Sequence, residues 1–377
     1  MKRLGLYLHI PFCRSKCLYC DFYSLPRPTA EAMEHYVDAL CRDLERKAPD
    51  CAAYLVDTVY FGGGTPTLLP EEASERILSV IASRYRLDTG AEITAECNPA
   101  TASTEKLRRL RRAGWNRLSI GIQSIHPKEL RALGRTHGFA DARQLFSDAS
   151  DAGFSNLSAD LMFGIPEQTP ESWLASLEAV LALTPSHLSF YGLTVEAGTP
   201  FAKAEKHLPL PSEEDTRQMY FDGIRMCEAH GLLQYEISNF ATPGNKSRHN
   251  LKYWNCEEYL GFGPAAFSDF SGVRSGNSRD LAAYIEGRDI RAEEEHPSPS
   301  DRMNEYIMLR LRLTDGIREK EFSDRFRCSF LERYREKLLP YQRMKLLNLS
   351  KDGCALSPEG FYVSNSILSD LVEFEPS

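Results

Sequence analysis

Hydrophobic positions change their period repeatedly along this chain. Short β-rich runs alternate with stretches whose apolar residues recur every three or four positions. Leu4–His9, Thr58–Phe61, Glu92–Cys97, Arg117–Gln123, Ser158–Phe163 and His187–Val195 are predicted strands. Between the first two, Ala30–Lys47 places Tyr36, Val37, Leu40 and Leu44 on one face, the stripe of a helix packed on a sheet. Pro70 opens a second helix, where a missing N–H costs nothing, and Ser103 caps a third. Pro170 opens another, running through Trp173, Leu174, Leu177 and Leu181. Six strand–helix repeats predict an α/β fold with a parallel sheet or barrel. Ligands then belong at the carboxyl ends of the strands, where the connecting loops gather.

Beyond residue 240 the alternation stops. Ala241–Asn255 (ATPGNKSRHNLKYWN) is polar and punctuated by proline and glycine, and reads as a long loop after the barrel. Arg291–Ser300 is acidic and proline-bearing and reads as a linker. The remainder reads as a small helical domain, with a turn between short strands at Leu356–Val363. The chain therefore divides into a barrel at 1–240, a loop and linker region at 241–300 and a C-terminal domain at 301–377.

Composition narrows the classes. With 45 basic and 53 acidic residues the net charge is −8, which argues against a general nucleic-acid or membrane-surface binder. No apolar run approaches the ~18 residues of a membrane span. The opening MKRLGLYLHIP lacks a small-residue cleavage site and reads as a strand, not a signal peptide. Ten cysteines without a secretory signal imply a reducing compartment, and so a cytoplasmic protein.

Three of those cysteines crowd together. Cys13, Cys17 and Cys20 form C-x3-C-x2-C in PFCRSKCLYCDF, directly after the first strand. Thiolates suit iron–sulfur clusters or zinc, but structural zinc wants four protein ligands and no fourth Cys or His follows at finger spacing. Three thiolates on a four-iron cluster would leave one iron open to a small molecule, with Tyr19 and Phe22 to shield the cluster from water. The triplet at this first strand end resembles the radical S-adenosylmethionine (SAM) superfamily. There the open iron chelates SAM, and one-electron reduction yields a 5′-deoxyadenosyl radical.

Each remaining strand end carries a chemical group. In Gly62-Gly63-Gly64-Thr65-Pro66 three successive glycines lack a Cβ, so backbone groups can approach a ligand closely. By itself this is a tight turn; beside the cysteines it resembles the segment that holds the methionyl amino group of SAM. Glu96 can accept hydrogen bonds from ribose hydroxyls or cap the next helix. Gln123, Arg135 in LGRTH and Asp160 in ADLMFGIPEQT would singly be structural polar residues; at successive strand ends they are better explained as ligand contacts. Arg135 could pair with a carboxylate, of SAM or of a propionate-bearing substrate. The run Arg108, Arg109, Arg111, Arg112 is a solvated helix face.

From Tyr7 to about residue 370 the chain resembles the HemN-type branch of that superfamily, which contains oxygen-independent coproporphyrinogen III oxidase and the HemW heme chaperones. The shared pieces are HIPFCxxxCxYC, GGGTPT, the Glu96 segment, RLSIGIQS, the Asp160 segment with GIPEQT, and GFGPAAFS. The resemblance implies a partial (β/α)6 barrel with a small C-terminal helical, winged-helix-like domain. It implies a 4Fe-4S cluster on Cys13, Cys17 and Cys20. Its SAM contacts are Tyr7, Tyr19, Gly63, Gly64, Thr65, Glu96, Gln123, Arg135 and Asp160, with Thr194 and Phe267 matching more weakly.

Three features favour the HemW side. The oxidase has a further cysteine where Phe22 stands, and it carries an N-terminal arm for which Cys13 lies too near the start. YEISNFA at 235–241 and SRHN-LK-YW at 247–254 resemble the HemW signature. In that signature His249 is a candidate axial ligand for heme iron, labile because it sits in a flexible loop. Asn250, Tyr253 and Trp254 stand beside it; the two aromatics offer flat faces to a porphyrin, and Arg248 could pair with a propionate. Alternatively the loop docks on the barrel by its aromatics, with His249 hydrogen-bonded. The resemblance implies heme binding and delivery. Its partners are heme, recipient hemoproteins, an electron donor for the cluster and, through a hemoprotein, peripheral contact with a membrane; nucleic acid is not among them. Oxidative decarboxylation of coproporphyrinogen III is the competing activity.

Overall fold

Six parallel strands stand side by side in chain order in the computed structural model, which describes residues 1–99 and 101–372. They are β1 (Lys2–Ile10), β2 (Tyr54–Gly63), β3 (Leu87–Cys97), β4 (Arg117–Gln123), β5 (Asn156–Phe163) and β6 (His187–Gly192). All six expected strands are present, several extended at their ends, and β6 stops short of Val195. Neighbours pair in parallel register, as in Tyr7 with Tyr60, Glu96 with Ser119 and Asp160 with Ser189. The intervening helices cover the outer face. Ala30–Lys47 is helical with a Thr29 cap and buries Tyr36, Val37, Leu40 and Leu44.

Alternation along the strands separates two environments. In β4, Leu118, Ile120 and Ile122 join the core between sheet and helices. Arg117, Ser119, Gly121 and Gln123 line the inner cavities instead. The interior of this barrel is therefore polar, and its apolar core lies outside it.

The region after residue 240 is more ordered than its composition suggests. Among the described residues the sheet has 12 strands and does not close. Asn239–Ala241 pairs antiparallel with β6, and Tyr259–Phe262 pairs parallel with β1 on the opposite edge. Phe267–Phe270, Val273–Asn277 and Arg291–Glu295 extend that edge. The expected linker at 291–300 thus begins as an edge strand. It is exposed throughout, and its glutamates repel further pairing. The loop expected over Ala241–Asn255 contains the helix Arg248–Trp254. Seven residues give too little periodicity to announce a helix, and this one is held from outside. Ser247 caps it, and Glu92 of β3 accepts the free first-turn amides of Arg248 and His249, each at 3.0 Å.

In the C-terminal domain, Pro299–Arg310, Glu319–Phe326 and Phe330–Arg343 pack with a three-stranded sheet made of Ile317–Arg318, Gly353–Leu356 and Leu347–Ser350. The turn expected at Leu356–Val363 is the helix Pro358–Tyr362, capped by Ser357. Residues 373–377 of the expected domain lie outside the described residues. The domain touches the signature region: Ile237 N–H donates to Arg312 O at 3.0 Å, and Thr314 N–H to Tyr235 O at 3.1 Å. Among the described residues no helix is long and apolar enough to cross a membrane.

Candidate functional site: a thiol-lined mouth above a polar barrel

The glycine run positions the cysteine loop. Gly64 N–H donates to Ile10 O at 2.8 Å and Thr65 N–H to Phe12 O at 2.7 Å, so the end of β2 is laced to the segment that leaves β1. A Cβ on Gly64 would stand 2.5 Å from Phe12 O, which explains the glycine sterically. Gly63 has φ +102°, which favours glycine, and its backbone lies against the His9 ring. Thr65 Oγ1 reaches Cys13 Sγ at 3.7 Å. The far side of the loop is fixed by Leu18 N–H donating to Leu133 O and by Phe201 N–H donating to Leu18 O.

Cys13, Cys17 and Cys20 line one pocket of about 160 Å³, and all three thiols are free. Burial pushes the Cys20 thiol up to about 11 and raises Cys13 as well. Among the described residues no group of three or more His, Cys, Asp or Glu side chains is placed to hold a single metal ion. The softness of the thiols, their common pocket and the glycine cradle beside them fit a multi-iron cluster whose binding would deprotonate them.

The expected SAM residues converge on this pocket with three exceptions. Tyr19, Gly63, Gly64 and Thr65 line it with the cysteines, as do Glu96, Gln123, Arg135 and Asp160. Arg135 donates to Tyr19 OH at 3.0 Å and keeps its Nε without a partner. Gln123 sits at a register shift with φ +68°, an uncommon conformation for a side-chain-bearing residue, and accepts from Tyr191 OH at 3.0 Å. Glu96 accepts from Tyr60 OH and from Gly63 N–H, both at 3.0 Å. Burial, with help from Asp160, pushes its carboxyl up to about 7. Asp160 accepts from Ser119 at 2.9 Å and from Ser158 at 3.2 Å; burial raises it too.

The exceptions are Tyr7, Thr194 and Phe267. Tyr7 lies beneath the mouth with its hydroxyl on His9 Nδ1 at 3.0 Å. Thr194 lines a second, larger cavity of about 690 Å³ that runs down into the barrel. Phe267 is 46% exposed and packs over Gly276, away from both cavities. Phe22 lines the pocket with the thiols but is 64% exposed at its rim.

The signature residues do not form a ligand loop. His249 is 1% exposed. Its Nδ1 shares a hydrogen bond with Thr58 Oγ1 at 2.9 Å and its Nε2 one with Tyr253 OH at 2.9 Å. The ring stacks on Tyr60 at 5.1 Å, and burial lowers its pKa to about 3. Neither nitrogen is open to iron, which corrects the expectation of a labile loop ligand. Helix 248–254 is the floor of the barrel, and of the four signature residues Asn250 lines the larger cavity. Arg248 donates to Gly90 O and lies near Asp57, outside that cavity. Trp254 lies under Arg312 of the C-terminal domain, 5.8 Å from guanidinium to ring centre.

Floor and mouth are connected. Ser247 N–H donates to Tyr235 OH; Tyr235 OH meets His187 Nε2 at 2.8 Å; His187 Nδ1 meets Ser158 Oγ at 2.8 Å; and Ser158 donates to Asp160. A second path runs from His249 through the stacked Tyr60 to Glu96.

Residues 7–180 match the model of the Radical SAM superfamily, and residues 298–363 match the HemN C-terminal domain. The chain is 32% identical to "Heme chaperone HemW" of Lactococcus lactis, over 96% of this chain and 95% of the relative. It is 34% identical to the Bacillus subtilis protein of the same name, over 96% and 97%. The chain belongs to the HemW family of radical SAM proteins. Among solved structures it is similar to coproporphyrinogen III oxidase HemN from Escherichia coli, with a TM-score of 0.87 over 99% of this chain and 91% of that one. At 23% identity that likeness shows the fold.

Several cavity residues of this HemW-family chain escaped the sequence reading: Tyr60, Arg117, Ser119, Ser189 and Tyr191. The available signal was polar residues at alternate positions of central strands, as in RLSIGIQ, where a buried parallel sheet would be apolar on both faces.

Proposed function

We propose that this chain binds heme and delivers it to hemoproteins, holding a 4Fe-4S cluster and SAM at the mouth of its barrel. Cys13, Cys17 and Cys20 would hold the cluster, and a cluster on three thiolates supplies an open iron for SAM and a one-electron reduction. Arg135 would pair with the SAM carboxylate, and Glu96 and Asp160 would accept its ribose hydroxyls. Gln123 and the Gly63–Thr65 backbone would fix the remainder. A separate electron donor would serve the cluster, and free thiols suit a cytoplasmic setting. Tyr7, His249 and Tyr253 support this site from beneath.

The observation that carries the reading is the convergence of three free thiols with Glu96, Arg135 and Asp160 on one pocket, in a chain that matches proteins named heme chaperones along nearly its whole length. The test uses anaerobically reconstituted protein given SAM, a reductant and coproporphyrinogen III, alongside a heme-loaded sample mixed with an apo-hemoprotein. Heme transfer without protoporphyrinogen is the expected result. Protoporphyrinogen formed with 5′-deoxyadenosine would make the chain an oxidase and overturn the proposal.

A further inference from the structure

Lining the larger cavity is a cation with no ion-pair partner among the described residues. Arg117, the first residue of β4, is 1% exposed, and its Nε and Nη1 make no hydrogen bond. It enters no ion pair among the described residues. Glu96 and Asp160 feel its charge, but their oxygens are committed to Tyr60, Gly63 and the serines. The barrel's other buried cation is treated differently. Lys252, 2% exposed, is held by Asp57 at 2.7 Å and Glu257 at 3.1 Å. A buried charge is costly unless it is paired, so this buried, unbonded guanidinium calls for an anion.

It sits below the SAM site, whose Glu96 and Asp160 also line this cavity. Arg117 lies about 20 Å along β4 from Gln123 at the mouth, at the rise of an extended strand. Arg135, not Arg117, faces the thiols. Asn239 lines the same cavity, and its Oδ1 has no hydrogen-bond partner.

We propose that Arg117 anchors a carboxylate of the molecule that enters the barrel cavity, and that this molecule is a propionate-bearing tetrapyrrole. The tetrapyrrole identity rests on the heme-binding reading above; the carboxylate class rests on Arg117 itself. A guanidinium fork binds a carboxylate in bidentate fashion, which an ester cannot reproduce.

The experiment compares metal-free protoporphyrin IX with its dimethyl ester, by fluorescence titration of the full chain. Iron coordination is then out of play. Wild type should bind the diacid about ten- to a hundredfold more tightly than the ester, the usual worth of a charge-assisted pair. Arg117→Gln should lose that preference and keep ester binding, which also reports that the barrel is intact. Arg117→Lys, which keeps the charge without the fork, should retain part of it and stands in if the glutamine variant fails to fold. Equal binding of diacid and ester by wild type would mean that water satisfies the guanidinium, and would overturn the proposal. So would an unchanged preference in both variants. Heme transfer without diacid preference defeats this proposal alone, and diacid preference without heme transfer defeats the delivery reading alone.

Discussion

Replacing His249 with alanine separates a structural role from a ligand role. The imidazole holds the hydroxyls of Thr58 and Tyr253 and stacks on Tyr60. Its removal strands the Thr58 hydroxyl, which is fully buried, at a cost of about 1–3 kcal/mol. The lost Tyr253 bond adds about 1 kcal/mol, and the ring-sized void adds about 1–2 kcal/mol. The expected total is about 3–6 kcal/mol, a large part of a domain's net stability. The assay is urea denaturation of the apoprotein, free of heme and cluster, followed by circular dichroism. A heme titration by Soret absorbance runs beside it. The variant should denature earlier and weaken SAM binding through the displaced Tyr60, so a reduced Soret band would not identify an iron ligand. The reasoning is refuted if apo His249→Ala denatures within about 0.5 kcal/mol of wild type, the scatter expected of neutral surface changes, while the Soret band is lost. His249 would then be a ligand with no structural duty.

Cys17→Ser should abolish the iron–sulfur absorbance near ~400 nm in anaerobic protein, because the pocket's other cysteine, Cys97, is buried with its thiol turned to Asn98 O and Thr101 Oγ1; a full four-iron content would contradict the assignment. SAM affinity should depend on pH through Glu96, whose carboxyl burial holds at about 7. Below that pH the protonated group accepts less from the ribose, so binding should weaken by up to about tenfold per unit as pH falls. A profile flat from about pH 6 to 8, or an undiminished slope in Glu96→Gln, would count against it. Gly64→Ala must push a methyl against Phe12 O and Ile10 O, both backbone atoms. Strain of about 1–3 kcal/mol is expected, with cluster loading lost before the fold; iron content and thermal melting measured together would show otherwise if both stayed at wild-type values.

The barrel was legible because its signals are local and repeated. Period-3.6 stripes such as Tyr36, Val37, Leu40 and Leu44, and caps such as Ser103, act within a few residues. The cysteine triplet, the glycine run and Glu96 were legible because each sits at a strand end, where topology alone assembles them. Helix 248–254 was not. Its first turn is held by Glu92, more than 150 residues away in sequence, and no local pattern reveals such a partner. The edge strand Arg291–Glu295 was hidden for the opposite reason: it is exposed on every side, so alternation never develops. Arg117 was passed over because a lone arginine in a strand looks like a surface residue until the barrel places it inside.

The placement of the signature helix changes what its residues can mean. A histidine with both nitrogens bonded beneath the barrel serves the mouth by holding Tyr60, which in turn donates to Glu96. Ser247 serves Asp160 through Tyr235, His187 and Ser158. Each carboxylate that would grip the ribose is thus oriented from below as well as from the adjoining strands. Orientation of this kind matters most in a buried site, because a misplaced carboxylate there keeps its desolvation penalty and loses its partner. Tyr235→Phe is the direct test: it removes one oxygen far from any cofactor contact, yet should loosen Asp160 and lower SAM affinity several-fold. Unchanged SAM affinity in that variant, with His187 still buried, would show that floor and mouth are merely adjacent.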